Sequence, residues 1–317
     1  MSEKVVRRFY EKSTAAEVLV NENIKGKRFL VTGGTSGIGT STVEALAEAG
    51  GHVVFTGRNN EAGNNLVCSI IKNHPGAIVE YMPVDFCSLK DVKRFAEDFL
   101  KKYKRLDVLI FNAGMFGGSH TETEDGYESA AQVNAISQVY LLELLRPLLK
   151  ESAPTRIVFV SSEAHRSANI KHGHFSAALL SPSKQHYSSW RQYANTKLCQ
   201  ILISNYLQEQ WSKDGMTFYA LHPGNMISTG IGRSWAGAKV LFAVIGLFTK
   251  NLQQGASTTV YCSASSDTIN QGGKYFRDCW LNEPTSTARD LVFAEEVWKT
   301  CQKMISDKVP NYVATTE

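Results

Sequence analysis

Short, continuously apolar runs alternate along most of the chain with longer segments of helical periodicity. An apolar run of strand length that ends in glycine or a polar residue predicts a buried β-strand. Because such strands lack a polar face, they favour a parallel sheet that helices cover on both sides. The sequence therefore predicts an α/β fold with one doubly wound parallel sheet. The predicted strands are RFLVTGG, HVVFTGR, AIVEYMPVDF, LDVLIFNAG, RIVFVSS and MTFYALHPG, with GGKYF as a candidate seventh.

Amphipathic segments between these runs predict the covering helices. GIGTSTVEALAEAG and SLKDVKRFAEDFLKKY have apolar residues at helical spacing, and DGYESAAQVNAISQVYLLELLRPLLK predicts a long helix. No repeat, low-complexity segment or linker interrupts the alternation. We therefore expect one domain over residues 26–317, preceded by a polar and basic extension over residues 1–25.

The charge balance and the cysteines argue against several functional classes. The 34 basic residues exceed the 30 acidic ones by only four, and no basic tract occurs, so we expect no nucleic-acid partner. The cysteines show neither CxxC nor another metal-ligand spacing, which predicts reduced thiols and no metal site. The six cysteines are Cys68, Cys87, Cys199, Cys262, Cys279 and Cys301.

Two segments bear on membranes. The first twenty residues have no apolar core of signal-peptide length, so we expect a cytoplasmic protein. The longest apolar stretch, WAGAKVLFAVIGLF at residues 235–248, contains Lys239 and is shorter than the ~20 residues that span a bilayer. It could line a substrate pocket, rest on the surface of an intracellular membrane as a peripheral contact, or be a core helix.

The glycine-rich segment VTGGTSGIG lies between the first strand and the first helix. Glycine permits positive φ and a close approach of the backbone to phosphate. The following helix offers free N–H groups and the positive end of its dipole to a pyrophosphate. The position matches the dinucleotide site of a Rossmann-like fold, although the spacing TGxxxGxG differs from GxGxxG. The predicted cofactor-binding residues here are Gly33, Gly34, Thr35, Ser36, Gly37, Ile38 and Gly39.

The ends of the next three strands predict the rest of the cofactor site. Arg58 follows the second strand, where NAD enzymes of this architecture place an acid on the ribose 2′-hydroxyl. Because a guanidinium binds a 2′-phosphate and an acid repels it, we expect NADP(H) in preference to NAD(H). Asp85 could accept from the adenine amino group, and Asn112 could brace the sheet and the cofactor ribose.

The segment YANTK places Tyr193 and Lys197 one helical turn apart on the same face. The pKa of a phenol is ordinarily near ~10, and a neighbouring cation lowers it. The pair therefore predicts a tuned proton donor and acceptor. Tyr187 does not repeat the pattern, because Arg191 rather than lysine follows it at i+4.

Taken together, TGGTSGIG, NAG, the serine pair of FVSSEAH, YANTK and HPG resemble the short-chain dehydrogenase/reductase family from residue 26 onward. The resemblance implies that Tyr193 is the general acid/base and that Lys197 lowers the pKa of Tyr193 and holds the nicotinamide ribose. It also implies that Ser162 hydrogen-bonds the substrate oxygen and that Asn134 supports a water-linked proton path. HPG, with Ser228 or Thr229 after it, is expected at the nicotinamide end.

One feature departs from the family pattern. Ser162 and Tyr193 lie 31 positions apart, which is farther than is usual, and the added residues are expected to form a loop over the substrate cleft. Histidines cluster in or near this insertion, but their spacing does not support a metal site. We expect pocket or surface roles for His165, His172, His174 and His186.

The family branch with similar motifs acts on lipophilic alcohols. We therefore predict reversible, NADP(H)-dependent hydride transfer at a carbonyl or alcohol carbon of a lipophilic substrate, such as a retinoid or steroid. Two alternatives remain open: a cofactor-binding interaction protein with little turnover, and a lipid- or membrane-associated protein that retains a ligand. The long helices from residues 124 and 188 could pair in a homodimer.

Overall fold

The structure is a computed structural model of the chain, and it describes residues 6–116, 118–224 and 250–314. Within these ranges, eight strands form one sheet in the spatial order third, second, first, fourth, fifth, sixth, seventh, eighth. The first seven strands are parallel, and the eighth is antiparallel to the seventh. The predicted α/β fold is confirmed. The strands are β1 (Arg28–Val31), β2 (His52–Gly57), β3 (Ile78–Pro83), β4 (Val108–Phe111), β5 (Thr155–Val160), β6 (Met216–His222), β7 (Lys274–Arg277) and β8 (Trp280–Asn282).

Helices cover both faces of the sheet. One long helical stretch contains a π-helical turn, Gln132–Ile136, between two α-helical parts. The described α-helices are α1 (Ala15–Leu19), α2 (Gly37–Glu48), α3 (Asn60–Asn73), α4 (Leu89–Lys102), α5 (Ser129–Ala131), α6 (Ser137–Glu151), α7 (Ala177–Leu180), α8 (Ser189–Trp211), α9 (Leu252–Ala264) and α10 (Leu291–Ser306).

Alternate residues of the strands divide the core into two layers. Leu30 faces the layer formed with α4, α6, α8 and α10, whereas its neighbours Phe29 and Val31 face α1, α2, α3 and α9. Because both faces are buried, the central strands consist almost entirely of apolar residues, which is the pattern that predicted them.

Two elements carry weaker signals in the sequence. The helix α3 is mostly polar, and it begins where the Asn59 side chain accepts from the backbone N–H of Ala62. The short edge strand β8 forms a hairpin with β7 through Asp278 and Cys279, both at φ +53°. Positive φ at both positions fits a two-residue hairpin turn.

Residues 6–25 pack onto the same core as the sheet. Ala15, Val18 and Leu19 of α1 are buried against α2 and α9, and the ring of Phe9 lies 6.0 Å from that of Tyr261. The Thr14 side chain caps α1 by accepting from the backbone N–H of Glu17. The extension therefore covers one side of the helical layer.

The 23-residue helix α8 runs beneath the sheet and is buried along most of its length. It packs against β6, the π-helical region and α10. No helix within the described ranges is both long enough and apolar enough to cross a bilayer. The apolar stretch 235–248 lies outside the described residues.

Candidate active site

The glycine-rich turn joins β1 to α2 in a conformation that side chains would block. Gly33 and Gly37 have φ of +68° and +60°. A Cβ on Gly39 would lie 2.1 Å from the carbonyl oxygen of Gly33, and one on Gly33 would lie 2.7 Å from Cα of Ala113. Ser36 precedes α2 without a side-chain capping bond, so the first N–H groups of the helix are available to an anion. The turn fits a dinucleotide pyrophosphate.

The remaining members of this loop pack against β2 or enter α2. A Cβ on Gly34 would lie 2.8 Å from Cβ of Phe55, and Thr35 contacts the backbone at Gly57. Ile38 lies in the first turn of α2, where its carbonyl accepts from the Thr42 hydroxyl. The loop is therefore seated on the carboxyl end of β2.

Asn112 braces this turn from the end of β4. Its side-chain amide donates to the carbonyl oxygens of Thr32 at 3.0 Å and Gly33 at 2.9 Å. The Thr32 hydroxyl in turn accepts from the backbone N–H groups of Asn112 and Ala113. This bonding fixes the first glycine relative to β4.

Arg58 and Asp85 follow β2 and β3 at the same edge of the sheet. Arg58 is exposed, and among the described residues its guanidinium has no hydrogen-bond or ion-pair partner. An Asp85 carboxylate oxygen accepts from the backbone N–H of Cys87 at 2.9 Å. Burial raises the pKa of the Cys87 thiol to about 11, and the nearby Arg58 charge opposes that rise. The Arg58 charge thus lies on the Asp85 side of the site.

Tyr193 and Ser162 meet although 31 positions separate them. Ser162 follows β5, and its side chain lies near Tyr193 on α8, while its hydroxyl accepts from the backbone N–H of Ala164 at 3.2 Å. Burial raises the pKa of Tyr193, and the polar Ser162 side chain acts in the opposite direction. In the protein alone burial is the largest influence on the phenol, and the expectation that Lys197 lowers the pKa of Tyr193 stays a prediction.

Lys197 lies beneath the ring of Tyr193. Its ammonium is 5.5 Å from the ring centroid and donates to the carbonyl oxygen of Val160 at 2.9 Å and to Gln200 Oε1 at 3.0 Å. Burial lowers the pKa of Lys197 to about 7. The lysine therefore sits where a small change in its surroundings changes its charge near neutral pH.

Reciprocal bonds join the end of β5 to α8. Lys197 donates from Nζ to the carbonyl oxygen of Val160, and the hydroxyl of Ser161 donates to the carbonyl oxygen of Lys197 at 2.7 Å. These two bonds, here called the β5–α8 clamp, hold the strand that precedes Ser162 against the helix that carries Tyr193.

Asn134 occupies the middle of the π-helical turn. Its side chain accepts from the Met115 N–H at 2.7 Å, and it donates to the Met115 carbonyl and to the Thr196 hydroxyl. A Cβ on Gly114 would lie 3.3 Å from Nζ of Lys197 and 3.6 Å from Oδ1 of Asn134. The missing side chain of this glycine leaves room between the lysine and the asparagine.

A buried amide chain behind Lys197 was not predicted. Gln200 donates to Gln138 Oε1 at 2.9 Å, and Gln138 donates to the Ala113 carbonyl at 2.9 Å. The chain orients the Gln200 oxygen toward the lysine. The only signal in the sequence was the i+3 spacing of Gln200 from Lys197 on one face of a helix.

Aromatic side chains flank Tyr193 and were also not predicted as site residues. The ring centroid of Phe116 lies 5.0 Å from that of Tyr193, and Trp190 lies 6.2 Å from Phe116 and 6.5 Å from Tyr193. Trp190 is 50% exposed. Phe116 and Trp190 together, here called the aromatic wall, give one side of the tyrosine an apolar surface.

The histidines in and near the insertion differ in burial and in their partners. His165 is buried, and Nδ1 of its ring lies 2.7 Å from the Ser162 carbonyl oxygen, whereas His172 pairs with Glu296 at 3.0 Å. His174 and His186 are exposed. No group of three or more potential metal ligands occurs in the described part of the chain.

The insertion forms two short 3₁₀ turns and α7. A cavity of about 420 Å³ lies between α7 and the beginning of α8, and it is lined by Arg191 and Asn195 rather than by Tyr193. Tyr187 packs against His120 instead of a lysine. The predicted nicotinamide contacts Ser228 and Thr229 lie outside the described residues.

A parallel sheet with a glycine turn after its first strand, and a tyrosine–serine–lysine group at the same edge, is the arrangement of a Rossmann-type oxidoreductase. A sequence profile of the family described as short chain dehydrogenase matches residues 27–178. The chain belongs to the short-chain dehydrogenase family, whose members bind NAD(P), and it is an oxidoreductase that acts on CH–OH groups.

Relatives are similar over nearly the whole chain. The WW domain-containing oxidoreductase of Gallus gallus is 41% identical over 299 residues, which cover 94% of this chain and 72% of the relative. Retinol dehydrogenase 12 of Mus musculus is 32% identical over 285 residues, covering 90% of this chain and 88% of the relative. A solved protein of Mycobacterium paratuberculosis is 24% identical, with a TM-score of 0.71, and covers 92% of this chain and 97% of its own. This last likeness supports the fold.

Proposed function

We propose that the protein transfers hydride reversibly between NADP(H) and a carbonyl or alcohol carbon of a lipophilic substrate. The observation that carries this proposal is the meeting of Tyr193, Ser162 and Lys197: the serine side chain acts on the pKa of the tyrosine, and the Lys197 ammonium lies 5.5 Å from the centroid of the tyrosine ring. All three side chains lie at the sheet edge that also holds the glycine turn. Ligands of open α/β sheets bind at this edge.

The bound dinucleotide supplies or accepts the hydride at its nicotinamide ring. Ser162 binds the substrate oxygen and stabilises negative charge as it develops there. Tyr193 donates a proton to that oxygen in reduction and takes it back in oxidation. Lys197, held by Val160 and Gln200, binds the nicotinamide ribose and supports proton movement at the phenol. Asn134 orders the proton path beside Gly114.

The proposed preference for NADP(H) is supported by Arg58. Its side chain is exposed beside the Thr35–Gly57 contact and, within the described residues, is not engaged by a carboxylate. We assign Asp85 to the adenine side and Asn112 to support of the loop and ribose. The same fold without Arg58 would still bind a dinucleotide, so the preference and the general activity are separate proposals.

The proposed lipophilic substrate is supported by the aromatic wall. Phe116 and Trp190 offer apolar ring surface beside the ring of Tyr193. Burying a flat apolar group there would favour binding by roughly 25 cal/mol per Å² of apolar surface removed from water. One relative of the chain is named as a retinol dehydrogenase, and retinol is a lipophilic alcohol of the kind proposed here.

Turnover with purified protein tests the proposal, using NADPH and a panel of retinoid, steroid and small carbonyl compounds. We expect Tyr193→Phe to lower the rate by at least ~10²–10⁴-fold while dinucleotide affinity stays close to that of wild type, because the phenol acts in proton transfer. Tyr187→Phe is the matched control and should retain activity. Wild-type rates in Tyr193→Phe would refute the assignment, and dinucleotide binding without turnover of any compound would favour an interaction protein.

A further inference from the structure

Lys250 is a buried lysine outside the group of residues assigned above. It is 5% exposed and immediately precedes the N-cap of α9. Its ammonium lies 2.6 Å from Oδ1 of Asp278 and donates to the carbonyl oxygen of Pro223 at 3.4 Å. Within the described residues Oδ1 has no hydrogen bond of regular geometry, so the contact with Lys250 is primarily electrostatic. Leaving the buried Lys250 ammonium without its partly buried partner is unfavourable.

Asp278 is held in place from several directions. It lies in the two-residue turn between β7 and β8, and its backbone carbonyl accepts from Arg7 at 2.8 Å. Nε of Arg277 lies 3.4 Å from its second carboxylate oxygen. The carboxylate is thus fixed by the hairpin and flanked by two cations, which makes it a rigid partner for Lys250.

The stem of Lys250 packs directly on the turn that follows β6. Gly224 has φ of +106°, and a Cβ there would lie 2.5 Å from Cδ of Lys250. The lysine therefore contacts the Pro223–Gly224 turn both through its stem and through its ammonium. A side chain at position 224 would therefore collide with Lys250 as it is placed by the ion pair.

The same ionic group reaches the residue after Ser162. Nη1 of Arg277 lies 3.6 Å from a carboxylate oxygen of Glu163, and the Glu163 N–H donates to Nδ1 of His222 at 3.2 Å. The ends of β5 and β6 are therefore joined by one set of charged and hydrogen-bonding contacts that includes Asp278.

We infer that Lys250 and Asp278 are positioning residues that hold the Pro223–Gly224 turn against the nicotinamide end of the bound dinucleotide. This inference rests on the proposed function. Within the described part of the chain, neither side chain forms a hydrogen bond or ion pair with Tyr193, Lys197 or Ser162, so the pair acts on the placement of the cofactor rather than on proton transfer.

Lys250→Met removes the ammonium and keeps most of the stem. We expect dinucleotide affinity to fall and the primary isotope effect with 4-deuterated NADPH to increase, because a misplaced nicotinamide makes hydride transfer slower. The rate of that step should fall by roughly ten- to a hundredfold. Lys250→Arg should recover part of both properties. Lys303→Met is the matched control, since Lys303 forms an exposed ion pair with Asp307.

The inference is overturned if Lys250→Met lowers only the melting temperature, with dinucleotide affinity and isotope effect as in wild type. If that variant does not fold, Asp278→Asn takes its place, because it removes the negative charge with little change in shape. Dinucleotide affinity and the isotope effect of this second variant then decide whether the inference holds. Wild-type protein is titrated first with NADPH and NADH. Failure of wild type to bind either one refutes the proposed function itself, whereas a defect limited to the variants supports the positioning role.

Discussion

Lys197 combines burial with a proposed role that needs charge. Its ammonium is enclosed and bonded to a backbone carbonyl and a glutamine oxygen, and burial lowers its pKa to about 7. In the unfolded chain the same group has its ordinary pKa near ~10.4. This difference between the folded and unfolded states makes the residue a source of pH-dependent stability.

Between pH ~7 and ~10 the unfolded chain binds more protons at this lysine than the folded protein does. The stability contributed by Lys197 should therefore rise with pH across that window, by at most about 1.4 kcal/mol per pH unit, and the full cost of the buried charge is present below it. Urea unfolding of wild type and Lys197→Met at several pH values checks this. Parallel pH profiles for the two proteins would contradict it.

The Arg58 charge predicts which of the two dinucleotides, NADP(H) or NAD(H), binds more tightly. A charge-assisted contact with a 2′-phosphate is worth on the order of 1.5–3 kcal/mol, or roughly ten- to a hundredfold preference for NADP(H). Arg58→Asp adds repulsion and should reverse the preference. Affinities for both dinucleotides at low and moderate salt test this, with the distant Arg289→Asp as control. Equal wild-type affinities would show that Arg58 makes no contact with the cofactor.

Prediction at the residue level succeeded for positions that depend on local spacing. Tyr193 and Lys197 share a helix face because they are four positions apart, and the glycine turn could be placed because a strand precedes it and a helix follows. Gln138 and Gln200 were missed because their bond joins residues 62 positions apart. The rise in the pKa of Tyr193 was not predicted, because burial could not be judged from the sequence.

At the level of elements, residues 6–25 behave as part of the folded layer. The helix α1 is short, and a helix of this length is not stable without tertiary contacts. Its burial against α2 and α9 supplies them. The predicted domain boundary at residue 25 marks where the alternation of strands and helices begins in the sequence. We propose that the cooperative folding unit starts before that residue.

Two neighbouring valines allow a matched test of that proposal. Val18 is 1% exposed and Val20 is 75% exposed. Val18→Ala should reduce the free energy of unfolding by about 1–3 kcal/mol through lost burial and a small cavity, whereas Val20→Ala should leave it nearly unchanged. Urea midpoints measure both. Equal, small effects would mean that α1 is detached from the unit that unfolds.

Edge elements show why prediction from the sequence weakens away from the sheet centre. The central strands were found because burial on both faces leaves only apolar residues. The strand β8 has three residues, and its middle residue, Leu281, is 45% exposed. Its sequence therefore lacks the apolar run that predicts a buried strand. The helix α3 depends on a capping asparagine and three buried positions more than on a full apolar stripe.

At the scale of the whole molecule, the packing of α10 on α8 limits how two copies of the chain could associate. The helix α10 packs along it within one chain, and among the described α8 residues only Trp190, Arg191 and Glu209 are exposed. A dimer formed through α8 would require α10 to leave. We therefore expect any homodimer to use another surface, so that Glu209→Arg leaves the association state unchanged in sedimentation velocity. Dissociation of a dimer by this substitution would contradict the expectation.

The β5–α8 clamp has a consequence for how such a site can diversify. Because Val160, Ser161 and Lys197 fix the strand to the helix directly, the distance between Ser162 and Tyr193 does not depend on the length of the chain that joins them. The intervening residues can lengthen, shorten or be exchanged between paralogues while the reacting groups keep their register. New substrate ranges could thus evolve, or be grafted in the laboratory, by loop replacement without rebuilding the catalytic machinery.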